Sequence, residues 1–280
     1  MKGVKVGIMN MKSFFKKLPI FILIGIGLGL PLGLIASFAT EEQLEVITPI
    51  LTLIMVAALI LIFTYAILKA IKFNKEVTKL LMILYEDIDA ENYIKETKYA
   101  ISKTRNKSYK LHFSLNLAIG YDALGEYQEA IDNMRVLDIR DARWIYKALY
   151  YNNLAFFYYE AGNSQSAIQT YSEGEKFINK LLKNPIYSGG PLHTKGIIEY
   201  SKGNFASSEE LLEKSKLQLN VSNHLVTSAN LYIAKICLKT NRNAKARLLL
   251  EYNLSQRLLP NILAETKKVI EEMKSTNYER

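Results

Sequence analysis

Two long uncharged apolar runs, Leu18 to Ala39 and Val46 to Leu68, stand almost back to back near the start of the chain, and a polar sequence with helical periodicity follows them. Each run has the roughly 20 residues that cross a bilayer core of about 30 Å. The pattern predicts two membrane-spanning helices, 18–39 and 46–68, joined by a short loop over 40–45. On an insertion scale the Leu, Ile, Val and Phe residues of the second run contribute roughly −4 to −8 kcal/mol, with no charge to offset them. The first run is less apolar and carries Gly25, Gly27, Gly29, Gly33 and Pro31, which spanning helices tolerate where a partner repairs the backbone. A cleavable leader is the competing reading, since Lys2 to Lys17 form a basic stretch and Ser37-Phe38-Ala39 could serve as a cleavage site. Its apolar core would be about 7 to 15 residues long, shorter than this run.

Charge sets the expected orientation. Lys2, Lys5, Lys12, Lys16 and Lys17 precede the first run, Lys69, Lys72, Lys75 and Lys79 follow the second, and the loop between has Glu41, Glu42 and Glu45 with no base. Basic flanks stay on the cytoplasmic side, so the basic N-terminus 1–17 and everything after residue 68 are expected in the cytoplasm. Five of the 36 basic and three of the 27 acidic residues precede Lys69, leaving 31 and 24 from Lys69 onward. These charges are interspersed rather than blocked, which argues against a nucleic-acid surface. The lipid bilayer is the expected non-protein partner, with lysines at both exits drawn to an acidic leaflet. The one cysteine, Cys237, permits no intrachain disulfide.

After the spans the chain repeats itself. Leu117-Ala118-Ile119-Gly120-Tyr121-Asp122-Ala123-Leu124-Gly125 through Ala130 is matched at its leucine, first alanine, tyrosine, turn glycine and last alanine by Leu154-Ala155-Phe156-Phe157-Tyr158-Tyr159-Glu160-Ala161-Gly162 through Ala167. Looser copies run from Gly196 through Gly203 to Ser208 and from Ala234 through Asn241 to Ala246, and the turn residues recur at 37, 41 and 38 residues. A small residue at each of these places lets a partner helix approach closely, and the glycines, with Asn241 in the last copy, suit a left-handed turn between helices.

These segments resemble the tetratricopeptide repeat, whose unit is a pair of antiparallel helices. Ser114 and Tyr151 stand where its tryptophan would fall, Glu199 and Cys237 replace the packing tyrosine of the third and fourth copies, and the intervals exceed the family's roughly 34 residues. The resemblance implies an all-α chain: a transmembrane helical hairpin followed by an α-solenoid of about four repeats over 108–259. Linking helices or a degenerate repeat are expected over 69–107, read as Lys75 to Tyr85 and Glu91 to Lys103. A capping helix and tail are expected over 260–280, placed over the last repeat. The second span, without Pro or Gly from Leu68 to Leu84, reads as continuing into the first of these helices.

The resemblance further implies a concave face lined by the first helix of each pair. Leu115, Ile119, Asn152, Phe156, Tyr159, His193, Ile197, Tyr200, Leu231 and Lys235 are expected on it, with a protein or peptide as partner. Asn116 and Asn153 fall where the family places an asparagine that grips a carboxylate, but Leu115 and Ile119 occupy the positions of its charged partners, so a ligand with apolar anchors is expected. No catalytic residue, metal site or cofactor is expected. His112, His193 and His224 lack ligand spacing, and Cys237 reads as a buried, inert thiol. Gly25, Gly29, Gly33 and Ser37 recur every four residues and form a smooth stripe for helix packing, against either the second span or the first span of another copy. The function implied is a membrane-anchored cytoplasmic scaffold without chemistry of its own; the alternative is a regulatory or assembly subunit that holds a membrane enzyme or transporter through its spans.

Overall fold

A computed structural model describes residues 40–219 and 221–275, together with Gly33, Ser37 and Phe38. The first expected span, and Gly25 and Gly29 of its stripe, lie outside the described residues; Gly33 and Ser37 are helical and exposed. The chain forms two compact units, Met1–Val77 and Thr78–Arg280. Among the described residues every regular element is a helix.

Helix α1 runs over Glu41–Tyr85. The expected loop over 40–45 is therefore reduced to Thr40, and the cause is local. Thr40 N–H donates to Gln43 Oε1 at 3.0 Å while Gln43 N–H donates to Thr40 Oγ1 at 3.4 Å, a reciprocal cap that satisfies two otherwise unpaired donors. Glu41 and Glu42 sit in the first turn, where carboxylates favour the helix dipole. The segment expected to span, 46–68, lies inside α1 and none of its most apolar stretch is buried. The continuity expected from Leu68 to Leu84 is present, since α1 ends only at Tyr85.

The second unit is built from antiparallel helix pairs. Helices α2 (Ala90–Lys103), α3 (Lys107–Leu124), α4 (Tyr127–Arg135), α5 (Trp144–Glu160) and α6 (Ser164–Leu182) are followed by α7 (Gly189–Ser201), α8 (Phe205–Lys216), α9 (Asn223–Lys239), α10 (Asn243–Leu254) and α11 (Pro260–Ser275). The pairs α3/α4, α5/α6, α7/α8 and α9/α10 coincide with the four copies in the sequence. Their turns have Gly125, Gly162 and Gly203 at φ 81, 81 and 80°, and Asn241 at 59°, the region that penalises a Cβ. Gly162→Ala is expected to cost about 1 kcal/mol for this reason, read as an earlier midpoint in urea unfolding with unchanged slope. The turn that precedes α2 has no glycine; Ile88 takes φ 61° there.

The small residues do what their spacing implies. Ala118, Ala155 and Ala234 on the first helices and Ala130, Ala167, Ser208 and Ala246 on the second are fully buried. Gly196 is equally tight: a Cβ there would lie 2.8 Å from Leu212 Cγ. Cys237 is buried in the same seam, and burial raises its thiol pKa. First helices touch in series, α3 to α5, α5 to α7 and α7 to α9, and form the inner layer of the unit.

Helix α11 lies against α9 and α10 of the last copy and also reaches α3 of the first. Ile262, Val269 and Met273 enter one core cluster with Leu231 and Tyr232 of α9, with Tyr159 and Tyr200 packed against it. In the same unit Arg257 Nη2 donates to Asp87 O at 3.2 Å, and the Tyr85 ring stacks on His224 at 5.6 Å. The beginning and end of the unit thus meet, and part of its inner face is covered by its own last helix.

Candidate functional site

The ten residues expected on the inner face separate into three groups. Leu115, Ile197 and Leu231 are no more than 2% exposed and belong to core clusters. They are packed in cores shared with neighbouring helices, because a first helix packed on both its partner and its neighbours has less open surface than one groove face would suggest. Tyr159, Tyr200 and Lys235 lie at the part of the inner face taken by α11. Lys235 Nζ binds Glu265 of α11 at 2.8 Å and stands 4.9 Å above the Tyr232 ring.

Ile119, Asn152, Phe156 and His193 line what remains, a cavity of about 280 Å³. Helical spacing brings the lining together. Ile119 and Asp122 of α3 are three apart, Asn152 and Phe156 of α5 four apart, and His224 and Ser228 of α9 four apart, so each pair shares a helix face. Tyr85 and the loop residues Ile186, Tyr187, Leu219 and Val221 complete the wall.

The polar groups here are buried and unevenly satisfied. His193 Nε2 and Ser228 Oγ are 2.9 Å apart, and the imidazole packs on Phe156 at 5.7 Å and Tyr232 at 6.0 Å between ring centres. Burial, and secondarily His224, lowers the His193 pKa to about 3; burial lowers that of His224 to about 4. Both rings are therefore neutral near pH 7. Asn152 Nδ2 donates to Asn153 Oδ1 at 3.1 Å, which leaves Asn152 Oδ1 enclosed without a partner. Asp122 Oδ1 and His224 Nδ1 are enclosed without partners as well. Burial, reinforced by Glu160, raises the Asp122 carboxyl well above the ordinary range. Glu160 itself accepts a hydrogen bond from the Tyr232 hydroxyl, and its pKa is raised, chiefly by burial.

Asp122, His224, Ser228 and Tyr85 were not among the expected site residues. Asp122 had a usable signal, an acid in an otherwise apolar stretch between two packing positions, since lone acids are seldom buried. His224 and Tyr85 had none, because they meet only when the two ends of the unit come together.

No protein-family model matches the chain, and no curated protein does. Two crystal structures of a Podosopora anserina protein, described as a putative kinesin light chain with nearly identical TPR-like repeats, align with it. One, of a variant with a single substitution, is 17% identical over 70% of this chain and 97% of that chain; the other is 16% identical over 71% and 96%; the TM-score is 0.43 for each.

Proposed function

We propose that this chain is a membrane-anchored binding protein that holds a TPR-like helical-repeat unit in the cytoplasm and engages protein partners there without catalysing a reaction. The observation that carries the proposal is the contrast between the two units. In α1, Leu53, Ile54, Ile60, Leu61, Ile67 and Leu68 are all exposed, an apolar surface suited to lipid. Beyond Thr78 the small residues, turns and inner layer make a repeat scaffold of the kind that binds along its surface. The basic flanks at Lys69, Lys72 and Lys75 support a cytoplasmic exit from the bilayer.

An alkaline wash of membranes from cells expressing the full chain tests the anchor, and protease added outside intact spheroplasts tests the orientation. The chain is expected to stay in the pellet and the repeats to stay uncut. Recovery in the supernatant would refute the anchor, and digestion of the repeats from outside would refute the orientation.

A further inference from the structure

We infer that one end of the second repeat copy is a contact surface for the acidic face of a lipid bilayer, separate from the apolar part of α1. The surface joins the loop 136–143 and the start of α5 to the end of α6 and the loop 183–188. Side chains tie these parts together. Lys180 Nζ lies 5.9 Å from the centre of the Trp144 ring, Lys147 and Lys176 lie 5.7 and 5.0 Å from that of Phe177, and Lys147 Nζ also donates to Arg140 O. Residues 135–147 and 176–187 hold seven basic and two acidic side chains, a net charge of +5. The whole unit from Thr78 onward has 28 basic and 23 acidic residues, also a net of +5, so its excess charge is gathered here. Asp138 is taken by Arg140 at 2.7 Å, while Arg143, Lys180 and Lys183 are exposed and enter no ion pair among the described residues.

Apolar side chains flank these charges. Val136, Ile186 and Tyr187 are 82%, 47% and 40% exposed and Trp144 is 38% exposed, whereas the turns within the four copies, at the other end of the helices, expose no large apolar side chain among the described residues. Amphipathic aromatic rings settle at the headgroup level, and lysine and arginine are drawn to an acidic leaflet, so this composition suits a bilayer interface. A nucleic acid is disfavoured because lysines already cover the rings on which bases would stack. Position separates lipid from an acidic protein. Lys79 pairs with Glu96 at 3.3 Å where α2 folds back along residues 78–85, and α3 turns back after the short loop 104–106. The Arg140 guanidinium and, to a lesser degree, Lys107 at the start of α3 hold the Asp138 carboxyl well below the ordinary range, which places the loop 136–143 beside that start. The unit therefore begins at the end that carries the patch. In a chain held in a bilayer, the reading on which this inference rests, the repeat unit is joined to its anchor at that end.

Trp144 is the one tryptophan of the chain, so its fluorescence reports on this surface alone. The full chain is placed in lipid nanodiscs of phosphatidylcholine, or of phosphatidylcholine with phosphatidylglycerol, each with plain or brominated acyl chains, since bromine quenches tryptophan on contact. With phosphatidylglycerol present, the brominated chains are expected to remove about half or more of the Trp144 emission, as for a ring seated among headgroups, and in phosphatidylcholine alone much less. Lys176→Gln with Lys180→Gln, both at exposed positions, is expected to lower the ratio of contacting to free units by about tenfold without moving the melting temperature. Should that double variant melt early, Lys183→Gln in the loop supplies a second reading, with an expected loss of severalfold. Equal emission in plain and brominated discs that contain phosphatidylglycerol, quenching indifferent to lipid charge, or quenching undiminished in the folded variants would each overturn the proposal. So would a shift of Trp144 emission by polyglutamate or oligothymidylate in plain discs where brominated phosphatidylglycerol leaves it unchanged, which would assign the surface to an acidic protein or a nucleic acid. Gel filtration keeps the two readings apart: a chain that elutes away from the discs refutes the anchor and this contact with it, and one that co-elutes unquenched refutes the contact alone.

Discussion

Replacing Val269 with aspartate is expected to remove about 3–5 kcal/mol of stability from the repeat unit. Val269 is 2% exposed and lies in the cluster that joins α11 to α9. Ile262, Thr266, Val269 and Met273 are all buried, and their spacing of four, three and four residues puts them on one stripe of the helix. A carboxylate at the centre of that stripe would lose its hydration without gaining a partner. Glu265 and Glu272, one turn away on either side, would add like-charge repulsion, and of the lysines around the position Lys235 and Lys268 already pair with Glu265. The variant must protonate its new acid or release α11, and either route costs stability. For a unit of this size about 10 °C of melting temperature is expected to be lost, measured by far-UV circular dichroism on the full chain in detergent. Glu271→Ala, at an exposed position of the same helix, should change it by no more than about 0.5 kcal/mol. If both variants melt with the native chain, α11 is not held on the inner face.

That dependence on α11 marks where sequence reading stops. The four helix pairs were legible because each rests on a short-range steric requirement. Gly162 must turn left-handed, and Ala155 and Ala167 must be small for two helices to meet; both demands act within one repeat and leave residue types at fixed spacing. The capping box of Thr40 and Gln43 was equally local, and it moved a helix start that hydropathy alone had set at Val46. The position of α11 is different. Its stripe states that one face is buried, but the burying surface depends on how far the stacked pairs curve, which sums small rotations over the whole unit. The same sum decides which first-helix residues open onto the cavity. Ile119 and Leu115 are one turn apart on α3, yet the first lines the cavity and the second is sealed in the core. Asp122 and His224 come from copies one and four and acquire a common environment only through that curvature.

Gly174→Ala should lower stability by about 2 kcal/mol, even though alanine is the better helix former by about 1 kcal/mol. Gly174 is in the interior of α6, where glycine is a liability unless something needs the space. A Cβ built there would lie 2.1 Å from Tyr151 Cβ and 2.5 Å from its Cγ. These atoms are the root of the side chain, so no change of rotamer clears them. Tyr151 is also held from the other side, stacked on Phe177 at 6.2 Å and edge-on to Tyr150 at 5.3 Å. The methyl group can be admitted only by moving α5 and α6 apart, which loosens the most closely paired helices of the unit. Gly190→Ala supplies the contrast, since a Cβ at that helical glycine meets nothing within 4 Å, and it should leave stability level or slightly raised. Urea unfolding of both variants reads the opposite signs directly. Removing the tyrosine side chain, Cβ included, tests the cause: Tyr151→Gly combined with Gly174→Ala should be less destabilised than the sum of the single changes, as expected for two residues in contact. Strict additivity would mean that the clash is relieved elsewhere and that Tyr151 is not what keeps position 174 a glycine.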